Sequence, residues 1–268
     1  MEGHGKGILL IALGREYNKL AYNLTKSIKK HNDLQVACIT DSLDNEFTDA
    51  FDIVIRPKAC DYIEEMQFNP FKLKTFMYDY SPFDETIYLD VDAICLKDIS
   101  GLFSSFKIQE VARYTKDNAD TSDCVWFKSL SDIFDIYGLE SEYPEYNTSF
   151  VAFNRSSRNK LYFHLVKKSY FDRRFDYTKI GRNYPDEMAF GIASSKLEHY
   201  SETPKEVPIC FWWSNKKLEL KEIQEKYYFL GYAGGYVASK YLTYYHRMMK
   251  QLSPYWELKM KDKIFHKK

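Results

Sequence analysis

Two aspartates at the end of an apolar run are the residues of this chain whose spacing most clearly indicates chemistry. The run Ile87–Leu89 leads directly into Asp90, Val91 and Asp92. Side chains alternate along an extended chain, so Asp90 and Asp92 are expected on one face. Two neighbouring carboxylates repel each other unless a cation lies between them. Mn²⁺ and Mg²⁺ prefer such oxygen ligands and keep coordination positions open for the oxygens of a diphosphate. The alternative is a solvated turn, since Asp-x-Asp occurs by chance in many chains.

The segments before this pair predict the elements that would position it. Residues 8–13 form a continuous apolar run typical of a central strand, residues 17–30 have the spacing of an amphipathic helix, and residues 34–40 predict a second strand that ends at Asp41. Strand, helix and strand in this order predict a parallel sheet. Ligands of such sheets bind beyond the carboxyl ends of the strands. The end of the first strand, Asp41 and the aspartate pair are therefore expected to meet in one crevice.

The remaining pattern predicts further strands and helices without a repeat or a linker. We expect strands at 51–55, 111–114 and 150–153, helices at 69–80, 157–171, 184–193 and 241–252, and a mobile loop at 115–122. Asp186 and Glu187 would stand at a helix start, where acidic residues favour the helix dipole without any further role. The chain is thus expected to be a single α/β domain over 1–268, with a mainly parallel sheet flanked by helices, a C-terminal helical segment, and a disordered start at 1–6.

Composition restricts the class of protein. The chain has 38 basic and 38 acidic residues, so its formal net charge of zero suggests neither a nucleic-acid protein nor a membrane-surface protein. The local basic cluster is interpreted as a solvated face, with a groove lining as the alternative; it comprises Lys167, Lys168, Arg173 and Arg174. The five cysteines are scattered, which favours reduced thiols in the cytoplasm over disulfides or a zinc site. No segment has the pattern of a transmembrane helix or a signal peptide.

Taken in order, these segments resemble a glycosyltransferase of the GT-A fold, and most nearly the family-eight group of glycogenin-like and galactosyltransferase-like enzymes. The likeness covers most of the chain. The residues that carry it are Ile11-Ala12-Leu13-Gly14 with Tyr17, Asp41, the segment 87–92, Asn147-Thr148-Ser149-Phe150-Val151-Ala152-Phe153-Asn154, and Pro185-Asp186-Glu187-Met188-Ala189-Phe190.

The resemblance implies metal-dependent transfer of a sugar from a nucleoside-diphosphate sugar, with uracil as the base by analogy and Mn²⁺ or Mg²⁺ as cofactor. The resemblance favours retention at the sugar carbon and leaves inversion open; if the reaction inverts, Asp186 or Glu187 would be the base. By position, Asn147, Asp186 and Glu187 would serve catalysis at the donor sugar, and Asp90 and Asp92 would hold the metal. The implied donor-binding residues are Ala12, Leu13, Tyr17, Asp41, Lys74, Asp90, Val91, Gly231, Gly234 and Lys240, with Gly235 as a further diphosphate contact.

For Lys74 and for the third metal ligand, the role that the resemblance implies differs from what the residues alone favour. Taken by itself, Lys74 is interpreted as a solvated lysine on the helix at 69–80. The family usually places its third metal ligand in a His-x-x-Gly segment, but this chain has Tyr228 where that histidine would stand. His246 is the remaining candidate for a third ligand, although a histidine inside a predicted helix is more often structural or solvated.

Two other classes of function stay open at this point. A nucleotidyltransferase also holds metal ions with strand carboxylates, but the segment after the first strand matches a phosphate loop poorly. A binding module could keep this fold and lack chemistry. The acceptor does not follow from the sequence: a protein, a free or lipid-linked glycan, and a hydroxylated DNA base are all compatible with it.

Overall fold

Strands and helices alternate along most of the chain. The structure is a computed structural model that describes residues 5–43, 45–121, 129–172, 174, 184–201, 209–211, 220–231 and 250–254. The strands are β1 Lys6–Ala12, β2 Gln35–Thr40, β3 Ile53–Ile55, β4 Ile63–Glu64, β5 Gln67–Phe68, β6 Glu85–Leu89, β7 Ala93–Cys95, β8 Phe106–Thr115, β9 Glu142–Asn154, β10 Ile209–Phe211 and β11 Phe229–Gly231. The α-helices are α1 Arg15–His31, α2 Asn45–Thr48, α3 Ala59–Tyr62, α4 Pro70–Lys74, α5 Met77–Tyr80, α6 Leu130–Tyr137, α7 Ser157–Phe171, α8 Glu187–Leu197 and α9 Leu220–Lys226, and 3₁₀ helices span Ser100–Leu102 and Lys116–Thr121.

A six-stranded sheet with the order β3-β2-β1-β6-β9-β8 forms the centre of the fold. Strands β3, β2, β1 and β6 are parallel, whereas β9 runs antiparallel to both of its neighbours. A second sheet has the order β10-β11-β7, and β4 and β5 form a short hairpin. The predicted α/β class with a mainly parallel sheet is therefore confirmed.

Each face of the central sheet is covered by apolar side chains. Along β1, Ile8 and Leu10 pack in one cluster with α1, while Leu9 and Ile11 pack in the other with α5, α7 and α8. Tyr88 of β6 belongs to this second cluster. Alternation along the strand directs Asp90, two residues further on, towards the same side of the sheet.

The predicted helix at 69–80 is wrong as one continuous element, because it is broken between α4 and α5. The Thr75 hydroxyl donates to the Lys72 carbonyl at 2.8 Å, and the Thr75 amide donates to the same carbonyl at 3.1 Å. This tight three-residue turn ends α4 at Lys74. A threonine hydroxyl competes in this way with the regular helical hydrogen bond.

Other predicted elements differ mainly in their bounds. The strand at 111–114 is part of the longer β8, and the stretch expected as a loop forms the 3₁₀ helix Lys116–Thr121. The closing helix at 241–252 lies outside the described residues except for 250–252, which form a turn. Cys38, Cys60 and Cys95 are free thiols. Among the described residues, no helix combines the length and the apolar character needed to cross a membrane.

A glycine sets the close approach of α8 to β9. A Cβ atom at Gly191 would clash with the Pro144 carbonyl oxygen and the Tyr143 ring. We predict that Gly191→Ala destabilises the protein by about 1–3 kcal/mol, the usual cost of overpacking, measured by urea unfolding. Gly101→Ala is the matched control, because no atom lies within 4 Å of its added Cβ. Equal stability of the two variants would contradict the described packing.

Candidate active site

A cavity of about 370 Å³ opens at the carboxyl ends of β1 and β6. Tyr17 contributes a half-exposed ring to its wall, and Lys74 and the aspartate pair contribute its charged groups. A cavity of this size, mostly apolar with a few convergent polar groups, is typical of a small-molecule site. The lining side chains are Ile11, Leu13, Tyr17, Phe68, Pro70, Phe71, Lys74, Tyr88, Asp90, Val91 and Asp92.

The Lys74 ammonium is buried among carboxylates. Its Nζ lies 2.8 Å from Asp90 Oδ1 and 4.0 Å from Asp186 Oδ2, and the residue is 7% exposed. Burial alone would lower the pKa of Lys74, but the carboxylates of Asp186 and Asp90 outweigh it, so the pKa is raised. Lys74 is therefore a permanently charged part of the cavity wall, and its interpretation as a solvated lysine is wrong.

Asp90 is held from two sides. The Tyr88 hydroxyl donates to Asp90 Oδ1 at 2.6 Å, and Lys74 Nζ donates to Asp90 Oδ2 at 3.1 Å. Burial, followed by the Asp90 charge, raises the pKa of Tyr88 well above its ordinary value, so the phenol keeps its proton and acts as a donor. The Asp90 amide also donates to the Ser149 carbonyl at 2.9 Å, which ties the aspartate to β9. The carboxylate is thus fixed in orientation before any ligand binds.

Asp186 precedes α8 but does not cap it. Its side chain accepts no hydrogen bond from the first turn of that helix. Instead, the Thr148 hydroxyl donates to Asp186 Oδ2 at 2.7 Å, and Asp186 is completely buried. Burial raises the pKa of Asp186, while Lys74 and the Thr148 hydrogen bond oppose the rise. The interpretation of Asp186 as a simple capping charge is therefore wrong.

The Glu187 carboxyl, which follows Asp186 in the chain, favours its protonated, neutral form. Burial, and then the Asp186 charge, raise the pKa of Glu187 to about 8, although Lys74 opposes this. Its Oε2 atom and Asp186 Oδ1 are buried without a hydrogen-bond partner among the described residues. Buried polar oxygens in native proteins are normally satisfied, so such atoms indicate a place for a further ligand group.

The aspartate pair has the chemistry of a divalent-cation site. Both carboxylates line the same cavity, and oxygen ligands of this kind suit Mg²⁺ and Mn²⁺. Within the part of the chain that the structure describes, no third His, Cys, Asp or Glu joins them in a cluster that could hold a metal. The residues therefore fit a cation held by two carboxylates and completed by the oxygens of a substrate, as is common for Mg²⁺.

The other residues named from the sequence either lie outside the described residues or do not line this cavity. Ala12 is fully buried in β1 and does not line it. Asp41 accepts from the Gly14 amide at 2.8 Å and lines a second cavity with Gly14 and Asn18. Asn147 accepts from the Ser149 amide at 2.9 Å. Gly231 ends β11 and pairs with Ala93, which is the residue directly after Asp92. Gly234, Gly235, Lys240 and His246 lie outside the described residues.

Several side chains at the site were not singled out from the sequence. Tyr88 was treated as part of an apolar run, although its position two residues before Asp90 places both on one face. Thr148 was named only within a motif. Phe68, on the hairpin of β4 and β5, is 52% exposed and lines the cavity. Nothing in the sequence around Phe68 indicates this position, because the hairpin has only two residues in each strand.

The fold is similar to that of several solved glycosyltransferases. The bifunctional glycosyltransferase WbbM in its apo state matches over 96% of this chain with a TM-score of 0.60 at 9% identity, and this chain spans about half (51%) of that one. The galactosyltransferase LgtC, solved with donor and acceptor sugar analogues, matches with a TM-score of 0.53 at 9% identity, over 92% of this chain and 94% of its own. Mouse xyloside xylosyltransferase 1 in its apo form matches with a TM-score of 0.50 at 13% identity, over 87% of this chain and 99% of its own.

These similarities show a GT-A fold, as the sequence pattern indicated. No protein-family model and no curated protein sequence matches the chain. At identities this low the similarity concerns the fold, so the function of the site is argued below from its own residues.

Loss of the Lys74 charge should strongly destabilise the protein. Lys74→Met leaves Asp186 buried without its cation, and breaking a buried ion pair in this way typically costs about 3–5 kcal/mol. We predict this loss in urea unfolding at pH 7. The matched control is Lys72→Met on the same helix, because the Lys72 ammonium donates to the Ile63 carbonyl and contacts no described carboxylate within 4 Å. Its expected change is below about 1 kcal/mol. Similar losses in the two variants would contradict the buried ion cluster.

Glu187 should make stability depend on pH. Its pKa rises from 4.5 to about 8 on folding, so the stability linked to its proton is present below about pH 4.5 and is lost as the pH rises through 8. Glu187→Gln cannot ionise. We predict that the melting temperature of the variant, relative to the wild type, increases steadily from pH 5 to pH 9. A difference that stays constant across this range would contradict the shifted pKa.

Proposed function

We propose that this protein transfers a sugar from a nucleoside-diphosphate sugar to an acceptor hydroxyl, with Mg²⁺ or Mn²⁺ as cofactor. The observation that carries the proposal is the cavity at the ends of β1 and β6. Aromatic and apolar side chains line it together with a lysine ammonium and two aspartates. A base, a diphosphate and a cation are the groups that such a set of side chains recognises together.

The apolar part of the cavity suits the nucleoside. Tyr17, Leu13 and Val91 line it together with the aspartates, and Tyr17 is 47% exposed. An exposed aromatic face stacks on a base without selecting strongly among bases. The choice of uracil rests on the resemblance to the family-eight enzymes.

The charged part suits the diphosphate. Asp90 and Asp92 would hold the cation, which when bound would neutralise charge on the leaving diphosphate as a Lewis acid. Lys74 presents a fixed positive charge to the same space, and its ion pair with Asp90 means that it needs no reorganisation when charge develops. Tyr88 keeps the Asp90 carboxylate in position throughout.

Two acids, the buried Asp186 and the partly buried Glu187, lie near Lys74, where the donor sugar would be placed by the resemblance. Glu187, with a pKa of about 8, is mostly protonated at neutral pH and is therefore a poor general base there. Burial raises the pKa of Asp186 as well. The retaining outcome rests on the resemblance to the family-eight enzymes, and such a reaction does not require a protein carboxylate to deprotonate the acceptor. Asn147, two residues before the Ser149 amide that it binds, would face the sugar from β9.

Ligand-dependent stabilisation tests the proposal. Thermal melts with UDP, UDP-glucose and UDP-galactose, each with and without Mn²⁺, are compared for the wild type and Asp92→Asn. At a ligand concentration of about 100 times Kd, the expected stabilisation of the wild type is about 2.7 kcal/mol. We predict that the part of this shift that requires Mn²⁺ is lost in Asp92→Asn.

The matched control is Asp33→Asn, which removes an exposed carboxylate in the turn between α1 and β2. It should melt and respond like the wild type. Absence of stabilisation by any of these three nucleotides would refute a UDP-sugar donor, and the same melts with GDP, ADP and CDP then decide whether another nucleoside diphosphate occupies the site. Release of UDP from a bound UDP-sugar supports transfer, release of pyrophosphate would instead show a nucleotidyltransferase, and binding without turnover would show a module that lacks chemistry.

A further inference from the structure

The Thr148 hydroxyl contacts both Lys74 and Asp186, which make no hydrogen bond to each other. Lys74 Nζ and Asp186 Oδ2 are 4.0 Å apart, which is beyond hydrogen-bonding distance. The Thr148 oxygen lies beside this pair and contacts both members, 3.4 Å from Lys74 Nζ and 2.7 Å from Asp186 Oδ2. Thr148 itself is completely buried in β9. The hydroxyl is therefore a connection between a cation and an anion that have no direct hydrogen bond.

The chemistry of the hydroxyl fixes its orientation. A threonine hydroxyl has one proton to donate and lone pairs to accept with. Ionised Asp186 can only accept and Lys74 can only donate, so the proton must point to Asp186 and a lone pair must face Lys74. In a buried site, the hydrogen bond from Lys74 to the Thr148 oxygen and the hydrogen bond from Thr148 to Asp186 polarise each other, and each becomes stronger.

We propose that Thr148 is a positioning residue for the transfer reaction, which holds Lys74 on the cavity wall and Asp186 behind it. The inference rests on the proposed function. Without the hydroxyl, the attraction between Lys74 and Asp186 would draw the ammonium away from Asp90 and from the phosphate side of the cavity. The buried Asp186 carboxylate would also lose the side-chain hydrogen bond that opposes its protonation.

The contact is tested first without any substrate. A double-mutant cycle with Thr148→Val and Asp186→Asn is measured by urea unfolding. The two changes should be coupled by at least about threefold in the unfolding equilibrium constant, as is usual for residues that share a hydrogen bond. Additive effects would overturn the assigned contact.

The role in the reaction is tested by turnover per binding site. UDP release from UDP-glucose with Mn²⁺ is divided by the number of sites that bind UDP in calorimetry, so that loss of folded protein does not affect the result. We expect Thr148→Val to lower this rate by about 10- to 100-fold, the usual loss when a supporting hydrogen bond to a working group is removed. UDP affinity should fall as well, because Lys74 faces the diphosphate, whereas the affinity for uridine, which lacks the diphosphate, should stay within about threefold, since Tyr17 and Leu13 are untouched.

A second pair of variants keeps the test decisive if Thr148→Val does not fold. Thr148→Ser and Thr148→Ala differ only in the hydroxyl, so Ser should retain at least about a third of the wild-type rate and Ala should lose it. Equal rates for these two variants would overturn the inference. A wild type that neither binds UDP nor releases it from UDP-glucose refutes the proposed function instead, whatever the outcome of the unfolding cycle.

Discussion

A buried lysine between two carboxylates is the interaction on which the rest of this site depends. Taking charges out of water is costly, and their mutual attraction repays that cost only when the geometry is good and the remaining hydrogen bonds are made. Four separate elements meet these conditions around Lys74. Strand β6 leads into Asp90, α4 carries Lys74, β9 carries Thr148, and Asp186 precedes α8. The hydrogen bonds from Tyr88 and Thr148 supply the neutral partners that such a cluster requires.

The charge balance of the cluster bears on what the cavity can bind. Among the described residues, Lys74 lies within 4.0 Å of the carboxylates of Asp90 and Asp186. Asp92 lines the same cavity, and Glu187 is mostly protonated at neutral pH. A diphosphate brings further negative charge and would be repelled by such a surface. Binding of a divalent cation by the aspartate pair would neutralise this excess of negative charge. The same electrostatics that make Lys74 a fixed cation therefore support the proposed requirement for metal.

The sequence predicted the fold because the fold depends on patterns that lie within single segments. The apolar run at 8–13, the helical spacing at 17–30 and the alternation around Phe150 each occur within one element, and short connections join them. The position of the aspartate pair at the end of a strand followed for the same reason. The break after Lys74 was missed because it consists of two backbone hydrogen bonds to the residue three positions before and a Thr75 hydroxyl that joins one of them, which no hydrophobic spacing indicates.

The interior of the site could not be predicted in this way. Whether Lys74 is solvated or buried depends on Asp186, which is more than a hundred residues away in the chain. Asp186 at a helix start has the sequence signature of a cap, and only the packing of α8 against β9 directs its side chain to Thr148 instead. The contact between Tyr88 and Asp90 could have been predicted, because residues two positions apart in a strand lie on the same face. Tyr88 also has the pattern of a core residue, and the structure shows both roles: its ring is buried in the core and its hydroxyl donates to Asp90.

The most direct test of the central claim is the position of the ligand itself. Crystals grown with UDP-galactose and Mn²⁺ would be measured at a wavelength where manganese scatters anomalously. We expect one anomalous peak within bonding distance of Asp90 or Asp92, a base against Tyr17, and phosphate oxygens facing Lys74. A nucleotide bound elsewhere on the protein, or a base and diphosphate in this cavity with manganese at another place, would contradict the account.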